Sequence, residues 1–185
     1  MSHIILSDIF GYTSALQVLA DQLPGDWLIL DPYDGTEMCF EDESRAYAHF
    51  QRVSGIDVYA ARLADCLMTA DESVSIIGFS VGAAALWQVL GSGVADKAGY
   101  AIGFYGNQIR HALGSAPRRP VTLVIPASER HFSVADFAES LSAYPQVSLS
   151  RAPYLHGFMN PASVNYSAAG YAEYTGWLQQ VLGGR

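Results

Sequence analysis

Apolar residues in this chain fall into short, nearly unbroken runs bounded by turn residues. The runs lie at 4–6, 27–30, 74–77, 98–104, 121–125 and 147–150. Their lack of alternation predicts strands buried on both faces, as in a parallel sheet covered by helices. Between the runs the apolar spacing changes to three and four. Thr13 stands where it would cap a helix carrying Leu16, Leu19 and Ala20 that stops near Pro24-Gly25. Ser54 followed by Asp57 reads as a capping box ahead of Ile56, Ala60, Leu63 and Leu67. Ser133 and Asp136 repeat that signature before Phe137 and Leu141. A last helix shows Tyr171, Tyr174, Leu178 and Val181 on one face and ends at Gly183-Gly184. The alternation predicts an α/β fold with a doubly wound, mostly parallel sheet of about six strands and helices on both faces. With no internal repeat, low-complexity segment or Pro- or Gly-rich linker, residues 1–185 are expected to form one domain.

Composition narrows the function. Half of the residues are hydrophobic and only 15% are charged, enough apolar side chain for a sizeable core. The formal charge of −8 comes from dispersed acidic residues, which disfavours nucleic acid and anionic membrane surfaces as partners. No apolar stretch approaches the ~20 residues that span a bilayer. The N-terminus lacks a basic region and a cleavage signal, so a soluble cytoplasmic protein with reduced thiols at Cys39 and Cys66 is expected. Scattered histidines and the absence of a Gly-rich dinucleotide fingerprint argue against a metal or an organic cofactor. The pattern specifies no oligomeric state.

The chemistry concentrates where the run at 74–77 meets Gly78-Phe79-Ser80-Val81-Gly82 and then the helix-forming Ala83-Ala84-Ala85-Leu86-Trp87. This is Gly-x-Ser-x-Gly in the strand–turn–helix context that a serine nucleophile requires. Side chains two residues either side of the serine would collide with the neighbouring strand and helix, hence the glycines. The turn also leaves the Val81 amide at a helix N-terminus, free to donate to an oxyanion. The bland alternative for Ser80 is a simple tight turn.

A serine hydroxyl needs a base to take its proton as it attacks. The chain order expected on such a fold is serine, acid, histidine. His131 and His156 both follow the elbow and the next two runs. His156 comes just after the last run, where a loop at the carboxyl edge of the sheet would return over Ser80. The acid is sought in 126–132, where Glu129 is the obvious occupant. Asp136 is the rival, with a local helix-capping role of its own.

These residues resemble the dienelactone hydrolases. The resemblance rests on Ser7-Asp8-Ile9-Phe10-Gly11, Asp31-Pro32-Tyr33, the elbow at 78–82, Phe104-Tyr105-Gly106 and His156-Gly157-Phe158, in the family's order and at comparable spacings over nearly the whole chain. It implies a minimal α/β-hydrolase fold that begins at the third strand of the full fold and has no large lid. It implies Ser80 as nucleophile, His156 as base, and Ile9 and Val81 as donors of the oxyanion-hole amides. Asp8 would match the family's glutamate beside the nucleophile; its plainer role is to end a strand or cap a turn. Two positions depart from the family. Serine replaces its cysteine at the elbow, which makes the nucleophile more dependent on the base. Arg130 stands where the family's aspartate precedes His131-Phe132, so Glu129 would have to complete the triad through its longer reach.

The function expected is hydrolysis of small carboxylic esters or lactones through an acyl-enzyme. Phe10, Tyr12, Phe79, Tyr105, Tyr154 and Phe158 suggest a small apolar pocket, although aromatic side chains are as often core as lining. No cluster of arginines announces a site for the carboxylate of a dienelactone, for which Arg110, Arg130 and Arg151 are the candidates. A binding or regulatory protein that keeps the fold is the second reading. A flavodoxin-like domain is a third, which lacks the phosphate-binding turn after the first strand.

Overall fold

The structure, a computed structural model, describes residues 2–184. All six predicted runs are strands: β1 (Ser2–Leu6), β2 (Asp26–Leu30), β3 (Val74–Phe79), β4 (Ala98–Phe104), β5 (Val121–Ile125) and β6 (Val147–Arg151). They form one sheet in the order β2-β1-β3-β4-β5-β6, and every pairing is parallel. Helices α1 (Ser14–Gln22) and α6 (Ala168–Gly183) cover one face of the sheet. Helices α2 (Glu43–Val53), α3 (Gly55–Thr69), α4 (Val81–Leu90) and α5 (Val134–Ser142) cover the other. Both faces of the central strands are therefore buried, which is why their sequences do not alternate. Ile5, Leu6, Ile76, Ile77 and Ile102 are all fully buried.

The predicted caps divide. Thr13 and Ser133 accept the Leu16 and Asp136 amides at the heads of α1 and α5. Ser54 makes no cap bond to α3; its hydroxyl donates to the Gly55 carbonyl, and Asp57 instead accepts from Gln88. The cause is an unpredicted helix. Residues 43–53 form α2, whose last turn runs directly into Ser54, with the Ser54 amide bonded to the Phe50 carbonyl. Ser54 is thus a hinge between two helices, with its backbone at φ −136°, ψ −66°.

Strand order reverses between β1 and β3: the chain steps outward from β1 to β2, then returns to the other side of β1. Loops leaving the carboxyl ends of strands at such a reversal diverge and open a crevice, where open α/β sheets bind ligands. The Asp8-Ile9 turn and Ser80 leave the sheet on either side of this point. Among the described residues, no helix is long and apolar enough to cross a membrane.

Candidate active site

Ser80 sits between β3 and α4 with φ 52° and ψ −111°, a conformation that costs a non-glycine residue about 1–3 kcal/mol. Hydrogen bonds hold it there. Its amide donates to the Phe104 carbonyl at 2.9 Å and its carbonyl accepts from the Ala84 amide at 3.1 Å. The flanking glycines are required by contact. A Cβ on Gly78 would lie 2.8 Å from the Gly82 carbonyl and the Ala83 amide. One on Gly82 would lie 2.5 Å from the Ser7 carbonyl oxygen, just past the end of β1. The turn that lifts Ser80 above the sheet therefore packs backbone against backbone.

The register of β5 with β6 brings the other two polar residues together. Pairing of Ile125 with Arg151 continues past the strand ends, with Ala152 donating to Ile125 and Ala127 to Tyr154 at 2.9 and 2.8 Å. The two loops therefore leave the sheet side by side. Glu129 Oε1 lies 2.7 Å from His156 Nδ1, and His156 Nε2 lies 3.0 Å from Ser80 Oγ. An ionised carboxylate only accepts, so Nδ1 carries the proton and Nε2 is left to accept from the serine hydroxyl. Asn165 donates to the His156 carbonyl at 2.9 Å, and the Tyr105 ring stands 4.9 Å from the imidazole. Arg130, next to Glu129, is exposed. Asp136 is exposed in the first turn of α5 and is not bonded to the histidine.

Among the described residues, the backbone amides of Ile9 and Val81 have no acceptor in the protein. Asp8 is 7% exposed; its Oδ1 accepts from the Phe10 amide at 2.9 Å and its Oδ2 from Asn160 at 2.7 Å. Burial pushes its carboxyl above the ordinary aspartate value, against the lowering effect of those two bonds and of nearby His156. Burial likewise raises the Tyr105 hydroxyl.

Two hollows flank these residues. An open cleft of about 500 Å³ exposes His156, Glu129, Arg130 and Ile9, with Tyr47, Leu155 and Val164 among its apolar lining. On the other side, Phe79, Tyr105 and Asp8 line a crevice of about 20 Å³, room for about one water. The aromatic residues expected to line one pocket are thus divided, with Phe79 and Tyr105 at this crevice and the others elsewhere. Phe158 is fully buried against Phe104, Tyr105 and Tyr174, and Phe10 lines a separate hollow beside Cys39 and Phe40. Tyr12 is half-buried and lines neither flanking hollow. Residues that the sequence did not single out for the site include Tyr47, Asn160 and Asn165. The only signal for the last two was their position a few residues beyond His156.

No family model matches the chain. The uncharacterized protein YczH of Bacillus subtilis (strain 168) is 30% identical over 132 residues, which take in 70% of this chain and 64% of that protein. The match thus spans less than two thirds of that relative's length. A Klebsiella pneumoniae subsp. pneumoniae MGH 78578 protein assigned as a dienelactone hydrolase superposes with a TM-score of 0.74 at 15% identity, covering 100% of this chain and 86% of its own. The dienelactone hydrolase-like promiscuous phosphotriesterase P91, from metagenomic libraries, gives 0.66 at 14% identity over 99% and 85%. A cold-adapted esterase from an Arctic intertidal metagenomic library gives 0.60 at 16% identity over 97% and 82%. With its all-parallel sheet and serine elbow, this chain has the α/β-hydrolase fold in the form found in dienelactone hydrolase-like proteins.

Proposed function

We propose that the protein is a serine hydrolase of small carboxylic esters or lactones, with Ser80, His156 and Glu129 as a catalytic triad. The observation that carries this reading is the continuous chain from Glu129 Oε1 through both imidazole nitrogens to Ser80 Oγ, at 2.7 and 3.0 Å. Ser80 attacks the substrate carbonyl carbon while Nε2 of His156 takes the hydroxyl proton. The carbonyl oxygen, now an oxyanion, is held by the unpartnered Ile9 and Val81 amides, each donor contributing on the order of 3 kcal/mol in the transition state. Collapse of the tetrahedral adduct expels the alcohol oxygen, which receives the proton from His156. Water, deprotonated by His156, then attacks the acyl-enzyme, and its collapse releases the acid and returns the proton to Ser80. Glu129 holds the imidazole tautomer and balances the imidazolium that forms twice in the cycle.

Ester chemistry is further supported by the esterase and dienelactone hydrolase names of the structural neighbours, and a small substrate by the size of the cleft. Turnover of p-nitrophenyl acetate by the wild type, abolished in Ser80→Ala and in His156→Ala, is the expected result. A wild type that releases no p-nitrophenol above buffer, with acetyl or butyryl esters alike, overturns the reading.

A further inference from the structure

The peptide unit joining Ile9 to Phe10 is gripped at both polar ends by side chains. Its carbonyl oxygen accepts from the Tyr33 hydroxyl at 2.7 Å, and its N–H donates to Asp8 Oδ1 at 2.9 Å. Each grip is itself held. Asp31, 3% exposed, accepts the Tyr33 and Gly35 amides through its two oxygens, both at 2.7 Å, and so fixes the turn carrying the tyrosine. One edge of the Tyr33 ring packs against Gly11, where a Cβ would come within 2.4 Å of the ring. On the other side, Asn160 donates to Asp8 Oδ2 at 2.7 Å while its own Oδ1 accepts from the Ala162 amide at 2.8 Å. Asn160 belongs to the loop of the histidine, its amide bonded to the Gly157 carbonyl.

We infer that Tyr33 and Asn160 are positioning residues for the oxyanion hole. An amide stabilises an oxyanion only if it already points at the site where charge develops. A surface turn with a free N–H would ordinarily rotate that N–H toward water. The Asp8–Ile9 peptide that carries this N–H is held at its carbonyl by the Gly11 amide and the Ser7 hydroxyl, both at 3.1 Å, and the next peptide is fixed at its carbonyl by Tyr33 and at its N–H by Asp8, so rotation at Ile9 is restrained from both sides. The Asn160 bond also ties this turn to the histidine loop, so oxyanion donor and base keep one relative position through two tetrahedral steps. The inference rests on the hydrolase reading and goes beyond it, since neither side chain touches the reacting atoms.

Tyr33→Phe removes the hydroxyl and keeps the ring. Asn160→Ser keeps a short acceptor for the Ala162 amide but no longer reaches Asp8. Both are assayed beside wild type and beside Tyr144→Phe, which loses a tyrosine hydroxyl bonded to the Leu113 carbonyl elsewhere in the fold. The readouts are kcat and KM for p-nitrophenyl acetate, the inhibition constant of phenylboronic acid, which forms a tetrahedral adduct on an active serine, and the fraction of protein titrated by a fluorophosphonate. Each site variant should lose about tenfold in kcat with KM within about twofold, because a misaimed donor costs less than the 10²–10³ of a deleted one. Its boronic acid constant should rise by the same factor while the titrated fraction stays at the wild-type level. Tyr144→Phe should match wild type in every readout. A merely structural role would lower the titrated fraction and leave the boronic acid constant alone. That result, or wild-type kcat in both site variants, overturns the inference. If Tyr33→Phe does not fold, Asn160→Ser decides. A wild type that neither turns over ester nor titrates removes the hydrolase reading and this one together; an active wild type with unaffected variants removes this one alone.

Discussion

Glu129 Oε1 stands 2.7 Å from His156 Nδ1 although an arginine follows it directly in sequence. The contact survives because the loop after β5 turns the Glu129 side chain, 10% exposed, inward beneath the imidazole and leaves Arg130 in solvent. The loop thus places a carboxylate against the outer nitrogen of the imidazole.

Replacing Glu129 by Gln keeps the shape but offers Nδ1 an amide that can donate, which favours the wrong tautomer. We expect kcat for p-nitrophenyl acetate to fall on the order of 10³–10⁴-fold, as loss of a triad carboxylate does elsewhere. Asp136→Asn should leave it within about twofold, since that side chain is exposed. Parallel steady-state assays of the two variants check this.

The elbow glycines set a stability prediction. Gly82→Ala drives a methyl to 2.5 Å from the Ser7 carbonyl and 2.7 Å from the Leu6 carbonyl, at and just past the end of β1, where neither backbone can yield cheaply. Urea denaturation should show a loss of about 3 kcal/mol or more, at the upper end of core overpacking. Gly176→Ala, in α6 with no atom within 4 Å of the new methyl, should instead gain about 0.5–1 kcal/mol.

Asp8 makes stability depend on pH with a definite sign. Its carboxyl is raised in the folded protein by burial, from the ordinary 3.8. The folded state therefore binds this proton more tightly than the unfolded chain. Asp8 favours folding below about pH 4 and loses that contribution as pH rises through the elevated folded value. Measured by urea denaturation at several pH values, the stability of wild type relative to Asp8→Asn should decline from about pH 4 upward and be flat below it. A difference that stays constant with pH contradicts this.

Capping gives a third comparison. Thr13→Ala and Ser133→Ala each remove a side-chain acceptor from a helix head and should cost about 1 kcal/mol by chemical denaturation. Ser54→Ala removes no cap bond and should cost a few tenths.

The strands were legible because burial on both faces leaves unbroken apolar runs, and the elbow because its backbone contacts admit only glycine at 78 and 82. Helix α2 was not. The signal was present but short: Ala46, Phe50 and Val53 recur at spacings of four and three among polar residues, and of these only Ala46 and Phe50 are buried. At the site, Ser80, His156 and Glu129 were singled out from sequence, with Asp136 as the rival; the contact of Glu129 with His156 depends on the direction of a loop, which local pattern does not carry. Phe158 and Phe79 look alike in sequence. Which one faces a hollow depends on α6 packing over Phe158, through Tyr174 at 5.1 Å between ring centroids. The grip of Tyr33 on Ile9 joins residues 24 apart, and local pattern carries no trace of it.

As the nucleophile of the proposed hydrolase, Ser80 should attack an electrophile and be modified covalently. Intact-protein and peptide mass spectrometry after reaction with a fluorophosphonate tests this, because displacement of fluoride leaves a phosphonyl group on the residue that attacks. We expect one adduct per chain, located on Ser80, absent from Ser80→Ala and formed far more slowly in His156→Ala. No adduct, or one on a different residue with Ser80 unmodified, would contradict it.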